Sequence, residues 1–359
     1  MAWGSTTTLG LDLGATGARC VELVWENERP KLQQWAAADF PAEVTDWRMT
    51  NWEDVSDVIR GLVEQRKLRA RWVAHSVSGE AVAPQYFNFP QIMPEDVAEA
   101  VRIEVETALP FRVEEALVSY ILFPDQRATQ GKVRTHGLAI AADGDLVESR
   151  LGAIRRANLE PFCVETDATA CANAFLITRK LSDAGTTAIL NIGHRYSNLA
   201  LLGGEGTLLV RDVPWAGSQL TQAIAALLSV TVPEAEDMKR RHWEQGPAAA
   251  GTLGDRVPEV LQSASKEFVG RLRDTIDYWV GERLVPGLGH MFITGGGSQV
   301  RGLPEFLSAS LSVPVERWSP LLDITEDKTG ELKPWAYRLS VAFGLALRKF
   351  ERKKKRVSA

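Results

Sequence analysis

The sequence predicts an α/β chain made of two similar halves that face each other across a cleft. Three observations carry this expectation. Strand-like and helix-like stretches alternate along the whole chain. Thr7-Thr8 and Leu11-Asp12-Leu13-Gly14 recur at one constant offset as Thr186-Thr187 and Leu190-Asn191-Ile192-Gly193. Each copy opens a glycine turn and returns as a strand, so the halves begin alike. A cleft between two such units is a favoured ligand site.

The elements follow in order. "TTLGLDLGATGARCVELVW" (7–25) reads as two strands around Gly14 and Gly17, and "PKLQQWAAADF" adds a third. Residues 51–68 carry Val55, Val58, Ile59 and Leu62 at helical spacing. A strand at 71–79 precedes a helix at 93–110, with Pro94 near its start and Pro110 at its end. "EALVSYILFP" and "RTHGLAIAA" are strands, and 145–159 is an amphipathic helix. In the second half "ILNIGHRYSNLALL" (189–202) is a hairpin, "GEGTLLVRDVPWAG" a third strand ending at Gly217, and "SQLTQAIAALL" a helix. "MFITGGGSQVRGLPEFLSASL" (291–311) reads as an apolar strand, three glycines and a helix.

Composition narrows the function. At 359 residues and 45% hydrophobic the chain can build two or three domains of ordinary size. A net charge of −5 argues against a nucleic-acid partner. The opening "MAWGSTTTLGLDLG" lacks the basic and apolar regions of a secretory leader. No apolar run approaches the roughly 18 residues of a membrane span. Cys20, Cys163 and Cys171 form no CxxC pair, which suits a reducing cytoplasm. The five histidines form no metal motif. The tail "LRKFERKKKRVSA" holds Arg348, Lys349, Arg352, Lys353, Lys354, Lys355 and Arg356. It reads either as a solvated helix end or as a contact with an anionic membrane face, worth roughly 1 kcal/mol per basic group.

Four segments point to chemistry. In the first hairpin Gly14 and Gly17 allow close backbone approach, and successive N–H groups there make an anion cradle. Asp12 stands where a carboxylate holds Mg²⁺ through water, while Thr16 and Arg19 offer a hydroxyl and a guanidinium to phosphate. The second hairpin offers Gly193, Tyr196, Ser197 and Asn198. Gly295, Gly296 and Gly297 leave room for a ring or sugar, ahead of a helix start that favours phosphate. In "PEAEDMKRR" Glu236 and Lys239 are three apart and share a helix face. Each segment alone is an ordinary turn or surface pair; together, in this order, they resemble the phosphate hairpins, A-E-x-x-K helix and GGG adenosine loop of the actin-like ATPase superfamily.

Within that superfamily the chain resembles the PilM family of type IV pilus assembly, over nearly its whole length. The likeness rests on "LDLGATGARCVEL", on 73–120 with "LPF" at 109–111, and on "GAIRRANLEPFCVETDATACANAF". It continues through "RDVPWAGSQLTQAI", "SKEFVGRLRDTIDYW" and "AYRLSVAFGLALRKF". The resemblance implies an actin-like fold. Domain one would span 1–184, with an inserted subdomain at about 91–163 and a closing helix at 334–352 packed back on it. Domain two would span 185–333, with a smaller subdomain at about 226–285. It implies ATP with Mg²⁺ between the domains. It also implies a PilN-like membrane protein bound through its cytoplasmic N-terminal peptide, linkage to pilus motor or platform components, and a place at the cytoplasmic face of the inner membrane.

Carried over by position, Asp12, Gly14, Thr16 and Arg19 form the first phosphate loop, and Gly193, Ser197 and Asn198 the second. Gly217 lets backbone pass close to phosphate. Glu236 and Lys239 face ribose and adenine. Gly295, Gly296, Gly297 and Ser298 cover the adenosine. Asp167 takes the place of an acidic water-positioning residue. Three departures bear on mechanism: Asn191 replaces the Asp of the second loop, Asn198 replaces Thr, and Arg19 replaces Lys. Losing a charge at residue 191 weakens Mg²⁺ retention and water activation, so hydrolysis is expected to be slow or absent. Among Tyr86, Phe87, Phe89 and Phe111 the reading is either core packing or a groove for the partner's extended peptide. The competing readings are a component of a type II secretion or competence system, a shape or division filament, and a small-molecule kinase. A kinase would need a substrate pocket around Asp167, whose neighbours Ala168, Thr169, Ala170 and Cys171 are small.

Overall fold

The computed structural model describes residues 7–123, 134–181, 185–204, 207–282 and 285–349. Arg352, Lys353, Lys354, Lys355 and Arg356 of the basic tail lie outside the described residues.

The first half opens with β1 (Thr7–Leu13), β2 (Gly17–Glu26) and β3 (Arg29–Asp39), followed by α1 (Trp52–Gln65) and β4 (Trp72–Val77). A three-stranded sheet comes next, from β5 (Val82–Pro90), α2 (Val97–Glu106), β6 (Ala116–Leu122) and β7 (Arg134–Asp143). The chain then returns through α3 (Gly144–Arg156), β8 (Glu160–Thr166) and α4 (Asp167–Thr178). The main sheet runs β3-β2-β1-β4-β8 and the smaller one β5-β7-β6. The smaller sheet therefore occupies residues 82–143, while β8 pairs in parallel with β4 of the main sheet. Phe87, Val101, Val105, Ala139 and Ala141 close the core between the smaller sheet and α2.

The second half repeats the plan with β9 (Thr186–Ile192), β10 (Ser197–Leu202) and β11 (Leu208–Val213), then α5 (Gly217–Leu228), α6 (Val232–Gln245) and α7 (Val257–Gly281). It ends with β12 (Leu288–Thr294), α8 (Leu303–Leu311), β13 (Val315–Arg317) and α9 (Pro320–Ile324). Its sheet runs β11-β10-β9-β12-β13, the order of the first half with the strands renumbered. In both, an antiparallel hairpin is extended by two parallel strands. Every residue of β9 is buried, as a central strand covered on both faces requires. The repeated dipeptides thus mark equivalent strands.

The chain finishes by crossing back. A 3-10 turn at Ala336–Leu339 leads into α10 (Ser340–Ala346), all of it buried. This helix lies on β1 and α4, where glycines permit the approach: a Cβ on Gly10 would sit 2.0 Å from the Ala342 oxygen, and one on Gly344 1.9 Å from the Ala170 oxygen.

Two expected boundaries shift. The helix expected at 93–110 begins at Val97, because Pro94 belongs to a turn in which Asp96 N donates to the Met93 oxygen. The last two of the three glycines lie inside a 3-10 turn, Gly296–Gln299, and α8 starts only at Leu303. The glycine turn is therefore not itself the start of an α-helix.

Candidate functional site

The turn between β1 and β2 is closed by Gly14 N donating to the Gly17 oxygen, 3.0 Å. Asp12 and Arg19 face each other in the register of the two strands. The arginine folds back over its own turn, donating from Nη1 to the Gly17 oxygen (3.0 Å) and from Nη2 to Thr16 Oγ1 (3.2 Å). Thr16 and Arg19 thus support each other. Asp167 begins α4, whose capping box joins Thr166 and Thr169. Arg150 reaches in from α3 and donates to the Ser76 carbonyl. Burial first, and then Asp167, pushes the Asp12 carboxyl up to about 7, against the pull of Arg19 and Arg150. Burial also raises the pKa of Asp167. Two carboxylates held close together in a desolvated site want a cation or a proton between them.

In the second hairpin Asn191 and Asn198 are directly opposite. Asn191 Nδ2 donates to Asn198 Oδ1 (2.8 Å), and Asn198 Nδ2 donates to Asp212 Oδ1 on β11 (2.7 Å). Asp212 Oδ2 in turn accepts from the backbone N of Gly79, in the first half (2.6 Å). The asparagines are therefore members of a relay that joins the two halves. Burial pushes the Asp212 carboxyl up to about 6 in spite of these two donors. Ser197 is spent elsewhere: its hydroxyl donates to the Trp215 oxygen (2.6 Å), and the residue is fully buried. Gly217 N donates to the Gly193 oxygen (3.1 Å), so the close approach at Gly217 is to the hairpin itself. The tip of this hairpin also touches the first half, through His194 Nε2 and Glu43 (3.1 Å) and through Arg195 on the carbonyls of Val44 and Thr45.

On α6, Glu236 and Lys239 form an ion pair of 2.6 Å. The spacing suggested a shared face; the packing makes it a buried one. Lys239 is 1% exposed. Its ammonium donates to the Gly217 oxygen (2.9 Å) and to Thr221 Oγ1 (2.6 Å) on α5. Burial pushes the Glu236 carboxyl up, but Lys239, Thr221 and Arg240 outweigh it and hold the group at about 2. Burial lowers the Lys239 pKa, opposed by Glu236.

In the glycine turn the room at Gly295 and Gly297 is taken by the chain itself. Gly295 has a φ of +84°, and a Cβ there would meet Asn191 Oδ1 at 2.4 Å; one on Gly297 would meet Ile192 Cγ2 at 2.4 Å. Gly296 has more space, with Arg338 Nε as nearest neighbour at 3.6 Å. Ser298 is buried, its hydroxyl donating to the Gly295 oxygen at 2.7 Å.

These segments meet around one cavity of about 690 Å³. Its wall includes Asp12, Gly14, Thr16, Arg19, Asp167, Gly193, Asn198, Gly217, Glu236, Lys239, Gly295, Gly296 and Gly297, together with Asn191. Ser197 and Ser298 are not part of the wall. Arg150, Arg240, Trp243 and Arg338 line it without having been singled out in the sequence. Among the described residues no three His, Cys, Asp or Glu side chains gather as a metal cage. Asp12 and Asp167 suit Mg²⁺, which keeps waters and completes its shell with phosphate oxygens.

A family profile described as type IV pilus assembly protein PilM matches residues 10–350. A solved PilM-PilN type IV pilus biogenesis complex contains a chain 25% identical to this one, with a TM-score of 0.81 over 95% of this chain and 97% of that one. The ethanolamine utilization protein EutJ of Carboxydothermus hydrogenoformans superposes with a TM-score of 0.57 at 16% identity, over 96% and 90% of the two chains. A diol dehydratase-reactivating factor in nucleotide-free form gives 0.55 at 10% identity, over 95% and 99%. The fold is that of the actin-like ATPases, and the chain belongs to the PilM family of type IV pilus assembly proteins.

Proposed function

We propose that this chain is a nucleotide-dependent scaffold of the pilus assembly platform, holding ATP with Mg²⁺ in the cleft. One observation carries the reading. Two glycine hairpins, one from each half, converge with the Gly295–Gly297 turn and the Glu236–Lys239 helix on a single cavity. Asp12 would hold Mg²⁺ through water, with Asp167 across from it. Gly14 and Gly193, whose own N–H groups close their turns on the Gly17 and Tyr196 oxygens, would let the two hairpins come close to the phosphates. Gly296 and Glu236 flank the nucleoside. The bound metal would neutralise phosphate charge. The chain's own residues position and shield. With Asn191 in place of a carboxylate, and tied to Asn198, activation of an attacking water is weak.

The partner is a PilN-like membrane protein, engaged through its cytoplasmic N-terminal peptide near the β5-β7-β6 sheet; the related chain of known structure is from a complex with PilN. Such binding places the scaffold at the inner membrane and connects it to the motor. The two nucleotide-binding domains would be 1–184 and 185–333. Among the described residues no helix is long and apolar enough to cross a membrane.

Calorimetric titration with ATP and ADP, with and without Mg²⁺, followed by the partner's N-terminal peptide, tests the reading. Binding of nucleotide and of peptide, with turnover below about 1 per second, is the expected result. Rapid phosphoryl transfer to a small acceptor would overturn it.

A further inference from the structure

In the first half, β1 meets the cleft at Leu13; its far end, Thr7, pairs with Val24 beside Trp25. The starts of β4 and β8 lie at that same far end, with Val73 opposite Leu9 and Trp72 opposite Glu160. Here the link from α1 to β4 crosses the sheet as Lys67-Leu68-Arg69-Ala70-Arg71. Glu22 fixes the crossing: its Oε1 accepts from Arg69 N (2.6 Å) and Ala70 N (2.7 Å), and the residue is 1% exposed. Both of these bonds are to backbone, so the exposed Lys67, Arg69 and Arg71 keep their side-chain charges at the surface. Among the described residues none of the three joins an ion pair. Trp72, next in sequence, is 39% exposed.

The chain comes back to this end as α10 finishes. Thr8 Oγ1 donates to the Ala346 oxygen (2.5 Å), and Trp25 Nε1 donates to Thr8 Oγ1 (3.4 Å). Lys349 Nζ lies 3.9 Å over the Trp25 ring, while Arg348 is taken by Glu165. In sequence Arg352, Lys353, Lys354, Lys355 and Arg356 follow, with one acid, Glu351, among them. β2 and β4 flank β1, so Trp25 and Trp72 stand two strands apart, about 10 Å. The exposed carboxylates at this end are Glu28, Glu64 and Glu160, and Glu26 is paired with Lys31. Two basic stretches remote in sequence thus converge on one end of a sheet, in a chain whose net charge is −5.

We infer that this end of the first half lies against a bilayer containing anionic lipids. Lys67, Arg69, Arg71 and Lys349 face the headgroups, where each basic group gains from the negative surface potential. Trp72 sits at the interface, where an amphipathic ring is favoured. The basic residues beyond Lys349 add charge to the same contact. The cleft, at the opposite end of β1, faces away from the lipid. This inference does not rest on the nucleotide reading, and it adds a direct lipid contact to the attachment that a membrane partner supplies.

The experiment is co-sedimentation of the full chain, without partner, with phosphatidylcholine vesicles that contain or lack phosphatidylglycerol. Retention on the anionic vesicles alone, weakening as salt rises, is expected. Arg69→Gln combined with Arg71→Gln should weaken it about 25-fold, at about fivefold per charge. Lys67→Asn suits the positive φ of residue 67 and should cost about fivefold. If the double variant fails to fold, Lys67→Asn decides, and unchanged affinity refutes the face. Trp72→Phe should reduce the quenching of tryptophan emission by brominated lipid; unchanged quenching would refute the placement of Trp72. Equal binding to neutral vesicles, or no binding to either kind, would overturn the inference. So would loss of binding on Lys353→Gln, Lys354→Gln and Lys355→Gln together with no effect of the arginine pair. Duplex DNA that displaces the chain from vesicles at matched phosphate concentration would make the face a general polyanion contact and overturn it as well.

Discussion

Asp212 carries two donors, Asn198 Nδ2 and Gly79 N. Truncating it to Ala leaves both without an acceptor, and we expect a loss of about 1–3 kcal/mol in urea unfolding at pH 7. The group also titrates. Its folded pKa, about 6, is above the ordinary 3.8, so the folded state holds the proton more tightly. That contribution is fully present below 3.8 and is lost as pH rises through about 6. Urea midpoints from pH 4 to 7 should therefore fall more for wild type than for Asp212→Asn; parallel curves would refute this. Lys239 gives the opposite sign through its partner. Glu236 is held at about 2, so its stabilisation is present above 4.5 and is lost as pH falls towards 2. Lys239→Met should cost about 3–5 kcal/mol, as breaking a buried pair does, and should flatten that acid dependence.

Helices and strands were legible to different depths. The β1–β2 hairpin could be read because alternation, Gly14 and the repeat at Thr186 all agree. The cleft followed from that repeat. The burial of Lys239 was not legible, since a Glu and a Lys three apart on a polar helix read as a surface pair; only the packing of α5 encloses them. Arg150 and Arg338 gave no signal, because a single arginine has no spacing to betray it. Ser197 and Ser298 looked like ligands for their hydroxyls, but backbone carbonyls of adjacent turns claim both. The closest packing is at α10, where glycine is required by contact. Gly344→Ala would drive a methyl against the Ala170 carbonyl and should cost at least about 1–3 kcal/mol. Gly270→Ala on α7 meets nothing within 4 Å and should gain about 0.5–1 kcal/mol. Urea unfolding of both variants separates contact from propensity.

Polar contacts between the two halves include the Asp212–Gly79 bond, the His194–Glu43 pair, Arg195 on the 44–45 carbonyls and the ion pair of Arg179 with Asp323 (2.8 Å). A ligand held by both halves would add to these. At a hundredfold excess over Kd, Mg²⁺-ATP should stabilise the folded state by about 2.7 kcal/mol, read as a rise in thermal midpoint that adenosine alone does not match. An equal rise with adenosine would mean that the phosphates contribute nothing to holding the halves together.

The relay has one more property. A carboxamide can face either way, yet here every choice is dictated by its neighbour. The Gly79 N–H admits only an acceptor, ionised Asp212 has nothing but acceptors, and so Asn198 must turn its amino group outward to β11. That turns its oxygen to Asn191, which must answer with its own amino group. Asn191 Oδ1 is left lying against Gly295. The sign of the dipole presented at the glycine turn is thus written by a backbone N–H of the opposite half. Substituting Asn for Asp212 would erase that instruction, since an amide there could pass on either sign.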